Sequence, residues 1–236
     1  MSASVQAISW TGVLLAFIPT TLVVGILLRW TEEGPSSIYA LLRMLGQLLL
    51  IGYILAFIFQ ADHPGILLVV LGVMLTAASW IALRPVQRKG AGLFGKALLA
   101  IGIGGLFNLL LVTQFVLQLD PWFYPQYVVP LAGMIFASSM NTVSLAAERF
   151  ETEFENVQSY QSARKTALGK SLIPITNSLL AVGLVSLPGM MTGQILAGVS
   201  PLIAAKYQMV IMALIFGSSG ISAALYLGFI KDHYQT

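Results

Sequence analysis

The chain has 236 residues, of which 57% are hydrophobic and only 9% are charged, and its formal net charge is +3 at pH 7. Soluble domains carry about 25% charged residues, so this composition excludes an ordinary soluble protein and predicts a polytopic membrane protein. The mean hydropathy of +0.86 indicates the same class. Cysteine is absent, which excludes disulfides, thiolate metal sites and cysteine nucleophiles.

Seven apolar runs are long enough to be considered as membrane spans. They cover residues 10–28, 44–59, 65–83, 98–119, 127–147, 172–190 and 202–229. The first run is too long for a signal peptide and has no charged segment before it, so we predict that it is retained as a span. The predicted fold is therefore all-α, with about seven transmembrane helices in a single domain over residues 1–236.

The basic residues predict how these spans are oriented. With seven spans, eleven of the twelve Lys and Arg residues fall on one side of the membrane and only Lys206 falls on the other. Cytoplasmic loops are rich in Lys and Arg, so the N-terminus is predicted outside and the C-terminus in the cytoplasm. The eleven residues are Arg29, Arg43, Arg84, Arg88, Lys89, Lys96, Arg149, Arg164, Lys165, Lys170 and Lys231.

Acidic residues and histidines offer no site for proton relay or tight metal binding. All nine Asp and Glu residues lie in loops or near helix ends, whereas proton-coupled pumps usually place a carboxylate or histidine within the bilayer. The two histidines, His63 and His233, lie in a turn and in the C-terminal tail. A tight metal site needs three or four converging ligands, so the metal ligands, if there are any, stay unknown from the sequence.

Two stretches partly match the loop that binds nucleotide phosphates. Residues 90–97 end in Ala97 and lack the magnesium-binding hydroxyl, while residues 164–171 lack the first glycine. The motif also requires a preceding strand, which neither stretch has. We therefore expect no catalytic residue and no cofactor on this chain, and if ATP drives it, another chain must hydrolyse the ATP.

Uncharged polar side chains cluster inside the predicted spans and are candidates for lining a substrate pathway. An alternative role is hydrogen bonding between helices, which contributes less than ~1–2 kcal/mol per bond. We expect the hairpin between the fifth and sixth spans to bring two of the clusters together, and both roles stay open. The candidates are Gln47, Ser138, Ser139, Asn141, Thr176, Asn177 and Ser178.

The apolar stretch 183–198 is interrupted in its middle. Pro188 and Gly189 break it, and the ten or so apolar residues that follow cannot cross a hydrocarbon core about 30 Å thick. We predict a broken or re-entrant helix, with Pro188 and Gly189 as a hinge or gate. Gly193 completes a G-x-x-x-G motif that lets a neighbouring helix approach closely. The alternative is a tight extracellular turn.

Residues 148–170 form a cytoplasmic hairpin in this topology. Phe150, Phe154 and Val157 recur at helical spacing, with Glu148 and Glu151 on an adjoining face. The fifth span is therefore predicted to continue beyond the membrane as an amphipathic helix. A docking element for a partner and a simply solvated hairpin are the two interpretations.

Several motifs, in their order along the chain, resemble the FetB family. They are Arg43-Met-Leu-Gly-Gln47, Pro130-Leu-Ala-Gly-Met-Ile135, Ser139-Met-Asn141, Leu172-Ile-Pro-Ile-Thr-Asn-Ser178, Leu184-Val-Ser-Leu-Pro-Gly-Met-Met-Thr-Gly193 and Lys206-Tyr-Gln208. This family comprises permease subunits of bacterial ABC transporters implicated in iron export and is related to plant aluminium-tolerance permeases. The similarity spans roughly residues 40–215.

The resemblance implies a function that the residues alone do not establish. It implies a permease homodimer in the inner (plasma) membrane, exporting iron or another metal with ATP and Mg held by a separate ABC ATPase subunit. It also places the coupling region in the hairpin, where the candidates are Glu148, Phe150, Glu151, Phe154, Arg164 and Lys165. The rivals are an ATP-independent channel or carrier, which has no need of a docking hairpin, and a membrane scaffold protein.

The predicted orientation can be tested by thiol labelling, because the chain has no native cysteine to give background. A cysteine at Asp62 or Asp120 should react with an impermeant thiol reagent added to intact cells, whereas a cysteine at Gly90 or Ser159 should not. Protection of both outer positions would contradict the orientation.

Overall fold

The computed structural model describes residues 8–60, 63–87 and 90–234, and nearly all of these residues are helical. The chain divides into two compact units, Met1–Ala61 and Asp62–Thr236. Asp62, Arg88 and Lys89 contribute to the topology argument but lie outside the described residues. The single domain over 1–236 stays a prediction.

Within residues 8–60, the described part of the first unit, there are three helices, α1 (Trp10–Ala16), α2 (Ile18–Trp30) and α3 (Gly34–Ile58). A proline in the first turn of α2 separates it from α1, because proline cannot donate a backbone hydrogen bond to continue the preceding helix. The turn into α3 is tight: a Cβ atom on Gly34 would lie 2.5 Å from Leu28 Cδ2. Glycine at this position therefore allows α3 to begin directly against α2.

The described residues of the second unit form eight α-helices, and four of them, α4, α5, α6 and α10, form its core. Its helices are α4 (Pro64–Ala82), α5 (Ala91–Leu110), α6 (Pro125–Val157), α7 (Tyr160–Ser171), α8 (Ile173–Ala181), α9 (Gly189–Leu196), α10 (Pro201–Phe229) and α11 (Lys231–Tyr234). A π-helix, Leu111–Val116, continues α5. We call the end of this unit with Trp122 the aromatic end, and the end with the α6–α7 turn the hairpin end.

Helices α5 and α10 approach each other unusually closely near the middle of the unit. A Cβ atom on Gly104 would lie 2.4 Å from Ser222 Oγ and 3.0 Å from the Ser222 backbone nitrogen. One turn along, a Cβ atom on Gly217 would lie 3.1 Å from Asn108 Oδ1. Because there is little hydrophobic drive between helices in lipid, close packing of small residues is what holds such a pair together.

Hydroxyl and amide groups, most of them buried, follow this contact. Asn108 donates from Nδ2 to the Gly104 carbonyl at 2.8 Å, and the hydroxyls of Ser138 on α6 and Ser219 on α10 are 2.7 Å apart. We call the group the polar seam: Asn108, Ser138, Ser139, Ser218, Ser219 and Ser222. It joins α5, α6 and α10 at one level of the bundle.

Six helical segments in the described part of the chain are long and apolar enough to cross a membrane. They are Trp10–Trp30, Gly34–Ile58, Pro64–Ala82, Ala91–Val116, Pro125–Val157 and Pro201–Phe229. Six of the seven predicted spans thus fall within such helices or overlap them. The sixth predicted span, 172–190, does not, so the count of seven spans and the orientation are not confirmed.

The expectation of one continuous span over 172–190 is corrected by the structure. Helix α8 has nine residues, about 14 Å at 1.5 Å per residue, and a turn separates it from α9. Gly183 adopts a φ of +83° and its N–H donates to the Ser186 carbonyl at 2.9 Å. A positive φ is a conformation that glycine adopts readily. The predicted break is confirmed, but it begins several residues before Pro188.

The close α5–α10 contact makes a specific prediction for Gly104→Ala. The added methyl group has backbone as well as side-chain atoms in its way, so we expect destabilisation by about 1–3 kcal/mol through overpacking and a lower melting temperature in detergent. Gly95→Ala on the same helix is the control, since a Cβ atom there would meet nothing within 4 Å. Equal melting temperatures for the two variants would contradict the close contact.

Candidate functional site

The three polar residues predicted in the fifth span, Ser138, Ser139 and Asn141, lie in three different environments. Ser138 is half-buried and pairs with Ser219, whereas Asn141 is exposed. Ser139 is fully buried, and its hydroxyl has no hydrogen-bond partner among the described residues. Two of the three candidates therefore lie in the polar seam, against α10 or within the core.

The second cluster, on α8, is not assembled with the first. Thr176, Asn177 and Ser178 are all exposed, and the Ser178 hydroxyl donates to Pro174 in its own helix. Helix α8 buries none of its residues. The expectation that the hairpin brings the two clusters together is therefore wrong for this chain by itself. Gln47, in the first unit, is exposed on α3.

Sequence reasoning missed the serines of α10. Ser218, Ser219 and Ser222 have no exposed surface and supply half of the polar seam. The signal was present in Gly217-Ser-Ser-Gly-Ile-Ser222, a run of small residues of the kind that lines close contacts between membrane helices. The mean hydropathy of the whole span is high, so it does not reveal such a run.

A cavity of about 620 Å³ lies at the aromatic end, bounded by the π-helix, the start of α6, α9 and the start of α10. Helix α9 contributes Met190 and Gln194, α6 contributes Tyr127 and Met134, and α10 contributes Tyr207. π-Helical segments occur frequently at functional sites. The re-entrant segment predicted as a hinge thus forms one wall of the cavity.

The hinge candidates have different surroundings. Pro188 is half-buried and immediately precedes α9, while Gly189 and Gly193 are exposed. A Cβ atom on either glycine would meet nothing within 4 Å, so the expectation that Gly193 permits close helix contact is wrong within one chain. Gly198, beyond α9, has a φ of +93°. With Gly183 on the other side, glycines with positive φ flank α9.

The hairpin end confirms that α6 continues without a break to Val157. Helix α7 then returns along α6. Its buried residues, Tyr160, Ala163, Ala167 and Ser171, recur at helical spacing and form a single stripe. Small side chains on this stripe let α7 lie close to the bundle, and the opposite face, with Arg164 and Lys165, is exposed.

Phe150 lies in the core and not on a docking surface. Its side chain is 0% exposed, and its ring centroid lies 4.9 Å from Tyr234 and 5.6 Å from Tyr160. Phe154 is half-buried, with its ring centroid 5.1 Å from Tyr234. The expectation that Phe150 contacts a partner protein is therefore wrong, because the protein's own C-terminal helix occupies that face.

Glu151 ties three parts of the hairpin end together. Its carboxylate accepts a hydrogen bond from the Gln87 backbone N–H at 2.9 Å and another from the Tyr234 hydroxyl at 3.1 Å. Glu148 instead accepts from Thr152 on its own helix. Of the six coupling candidates, only Arg164 and Lys165 are exposed. The guanidinium carbon of Arg164 lies 5.6 Å from the Tyr160 ring centroid, so the ring holds this side chain against α7.

The described residues contain no group of three or more His, Cys, Asp or Glu side chains that could hold a metal ion. His63 has a local role: its Nδ1 atom accepts a hydrogen bond from the Gly65 N–H at 3.1 Å and caps α4.

Long apolar helices, packed through small residues around a buried polar seam, define a polytopic α-helical membrane protein. The chain belongs to an uncharacterised protein family, UPF0014, whose model matches residues 10–234.

Three relatives of known sequence show the breadth of this family. The chain is 37% identical to the UPF0014 membrane protein slr1647 of Synechocystis sp., over 82% of each chain. It is 30% identical to the Probable iron export permease protein FetB of Escherichia coli, over 92% of this chain and 90% of the relative. It is also 30% identical to Protein ALUMINUM SENSITIVE 3 of Arabidopsis thaliana, over 81% and 74% respectively. No solved structure matches the chain.

The burial of Phe150 predicts a loss of stability when its ring is removed. Phe150→Ala should lower the free energy of unfolding by about 3–5 kcal/mol, as for other buried phenylalanines, and should lower the melting temperature. Val157→Ala is the control, because Val157 lies on the same helix and is 52% exposed. An unchanged melting temperature for Phe150→Ala would contradict the aromatic packing at the hairpin end.

Proposed function

We propose that this chain is the membrane-spanning permease subunit of an ABC exporter that moves iron or another metal ion out of the cell. A separate ABC ATPase subunit binds ATP and Mg and drives the transport. Two copies of the permease form the translocation unit in the plasma membrane. The proposal makes this chain a transporter component and not an enzyme.

The observation that carries the proposal is the similarity to the Escherichia coli protein named a probable iron export permease. It extends over 92% of this chain and 90% of that protein, so it includes the bundle, the re-entrant segment and the hairpin. A match of this extent supports a shared overall role better than a match confined to a few apolar helices would.

The hairpin end supports a partner that docks on α7. Arg164, Lys165 and Lys170 project from exposed positions on this helix, while its buried stripe packs against the bundle. The aromatic rings and Glu151 hold the hairpin firmly in place. A rigid helix with an exposed basic face can transmit the movement of a bound ATPase to α6 and α10, which α7 contacts.

The polar seam supports a cation pathway without a permanent binding site. Ser139 and Ser222 are fully buried, and their hydroxyls have no partners among the described residues. An unpaired buried polar group costs about 1–3 kcal/mol. A rearrangement that opens α10 away from α6 would remove this cost and expose hydroxyl oxygens that can coordinate a passing cation. Transport by alternating access would use them transiently.

Charge reversal on α7 tests the docking surface. The permease is co-produced with the ABC ATPase encoded nearest to it in its genome, and the complex is purified through a tag on the permease. Arg164→Glu combined with Lys165→Glu should lower the recovered ATPase at least tenfold, since loss of about 1.4 kcal/mol changes affinity tenfold.

Lys231→Glu is the matched control, because Lys231 is an exposed cation on α11 and lies off the hairpin. It should leave recovery of the ATPase unchanged, and all variants should keep the wild-type melting temperature. If the wild-type chain recruits no ATPase and moves iron without ATP, the protein is an ATP-independent channel or carrier. If it neither recruits an ATPase nor moves iron, the result favours the membrane scaffold protein.

A further inference from the structure

The cavity at the aromatic end has a wall chemistry that differs from that of the polar seam. Its volume of about 620 Å³ falls within the range of about 300–1,000 Å³ typical of small-molecule pockets. Most of the lining is aliphatic, with two thioethers (Met134 and Met190), two phenols (Tyr127 and Tyr207) and two amides (Gln126 and Gln194). None of the residues that line it is Asp, Glu, Lys, Arg or His.

This lining is unsuitable for stable binding of a bare multivalent cation, which differs from the transient passage proposed for the polar seam. Burial of an ion without an opposite charge or a full set of ligands is strongly unfavourable. Hard cations such as Mg²⁺ and Ca²⁺ prefer carboxylate and carbonyl oxygens, and iron is usually held by imidazole, carboxylate or thiolate. The same argument disfavours a charged organic molecule. An occupant of this cavity is therefore uncharged and mainly apolar.

Gln194 provides the polar group that orients such an occupant. Its side-chain oxygen is buried and has no hydrogen-bond partner among the described residues. The amide carries its oxygen and nitrogen on opposite sides of Cδ, so rotation about the last side-chain bond turns the oxygen toward the cavity. A hydroxyl group on the occupant would then donate to this oxygen, which has no partner in its buried orientation within the described part of the chain.

We propose that this cavity binds an uncharged amphiphile, with an apolar chain against the aliphatic and thioether wall and a hydroxyl group that donates to Gln194. Because Met190 and Gln194 belong to α9 and the facing residues belong to α6 and α10, the bound molecule joins the re-entrant helix to the bundle. The site is separate from the metal pathway of the proposed function and does not depend on it.

Binding of radiolabelled 1-dodecanol to the purified protein in nanodiscs tests this site. Nanodiscs without protein give the background from partition into the bilayer. The wild-type protein should bind one dodecanol per chain saturably, and dodecyl methyl ether, which lacks the hydroxyl donor, should compete about tenfold more weakly. Gln194→Leu should remove this preference and leave the ether affinity unchanged.

A cavity-filling variant locates the site. Met190→Trp should abolish saturable binding, whereas Leu196→Trp should not, because Leu196 is 54% exposed on the same short helix and is not part of the cavity wall. Equal melting temperatures for the two variants establish that both are folded. Binding that does not saturate, or that survives Met190→Trp, would overturn the proposal, as would equal affinity of the wild-type protein for the alcohol and the ether.

Analysis of the neutral lipids extracted with the purified protein shows where the natural occupant comes from. A neutral lipid recovered from wild-type protein, and absent from Met190→Trp, identifies a membrane molecule. Saturable dodecanol binding without any such lipid identifies a soluble amphiphile. Both results agree with the site, and they differ only in where its ligand originates.

Discussion

The close approach of α5 and α10 at Gly104 is the contact on which the second unit depends. With glycine at this position, the α5 backbone lies against the backbone of Ser222, and Asn108 reaches the level of Gly217 one turn away. A bilayer supplies little hydrophobic drive between helices, so association rests on van der Waals contact and hydrogen bonds. A larger residue at Gly104 would separate the two helices and weaken both the van der Waals contact between them and the hydrogen bonds of the polar seam.

This contact positions both ends of α10. The start of α10 closes one side of the uncharged cavity, opposite α9. Its end lies against the hairpin, where the Tyr160 hydroxyl donates to the Leu227 carbonyl and Tyr234 reaches Glu151. A shift of α10 along α5 would therefore change the cavity and the hairpin together.

Much of the fold could be predicted from the sequence, because hydropathy, prolines and helical periodicity are local properties. They were sufficient for the all-α membrane class, for the break near Pro188 and for the continuation of α6 to Val157. The count of seven spans was less secure, since an apolar run such as 172–190 has the same average hydropathy whether it is straight or folded at Gly183.

The roles of particular side chains depend on contacts between distant parts of the chain. The amphipathic spacing of Phe150 correctly indicates a face that must be covered, but it does not say that Tyr234 covers it. Ser138 was identified as a polar residue within a span, whereas its partner Ser219 lies 81 positions away. The α8 cluster was expected beside it, yet the helix is interrupted before Pro174 and α8 remains exposed.

The most direct test of the transport role is uptake of radiolabelled iron(II) by inside-out membrane vesicles that contain this chain and its ABC ATPase. Export from the cell corresponds to accumulation inside such vesicles. Accumulation should require both proteins and hydrolysable ATP, and it should stop when the ATPase is inactivated by substitution of its phosphate-loop lysine. Iron accumulation of the same extent without ATP, or none under any condition, would contradict the transport role.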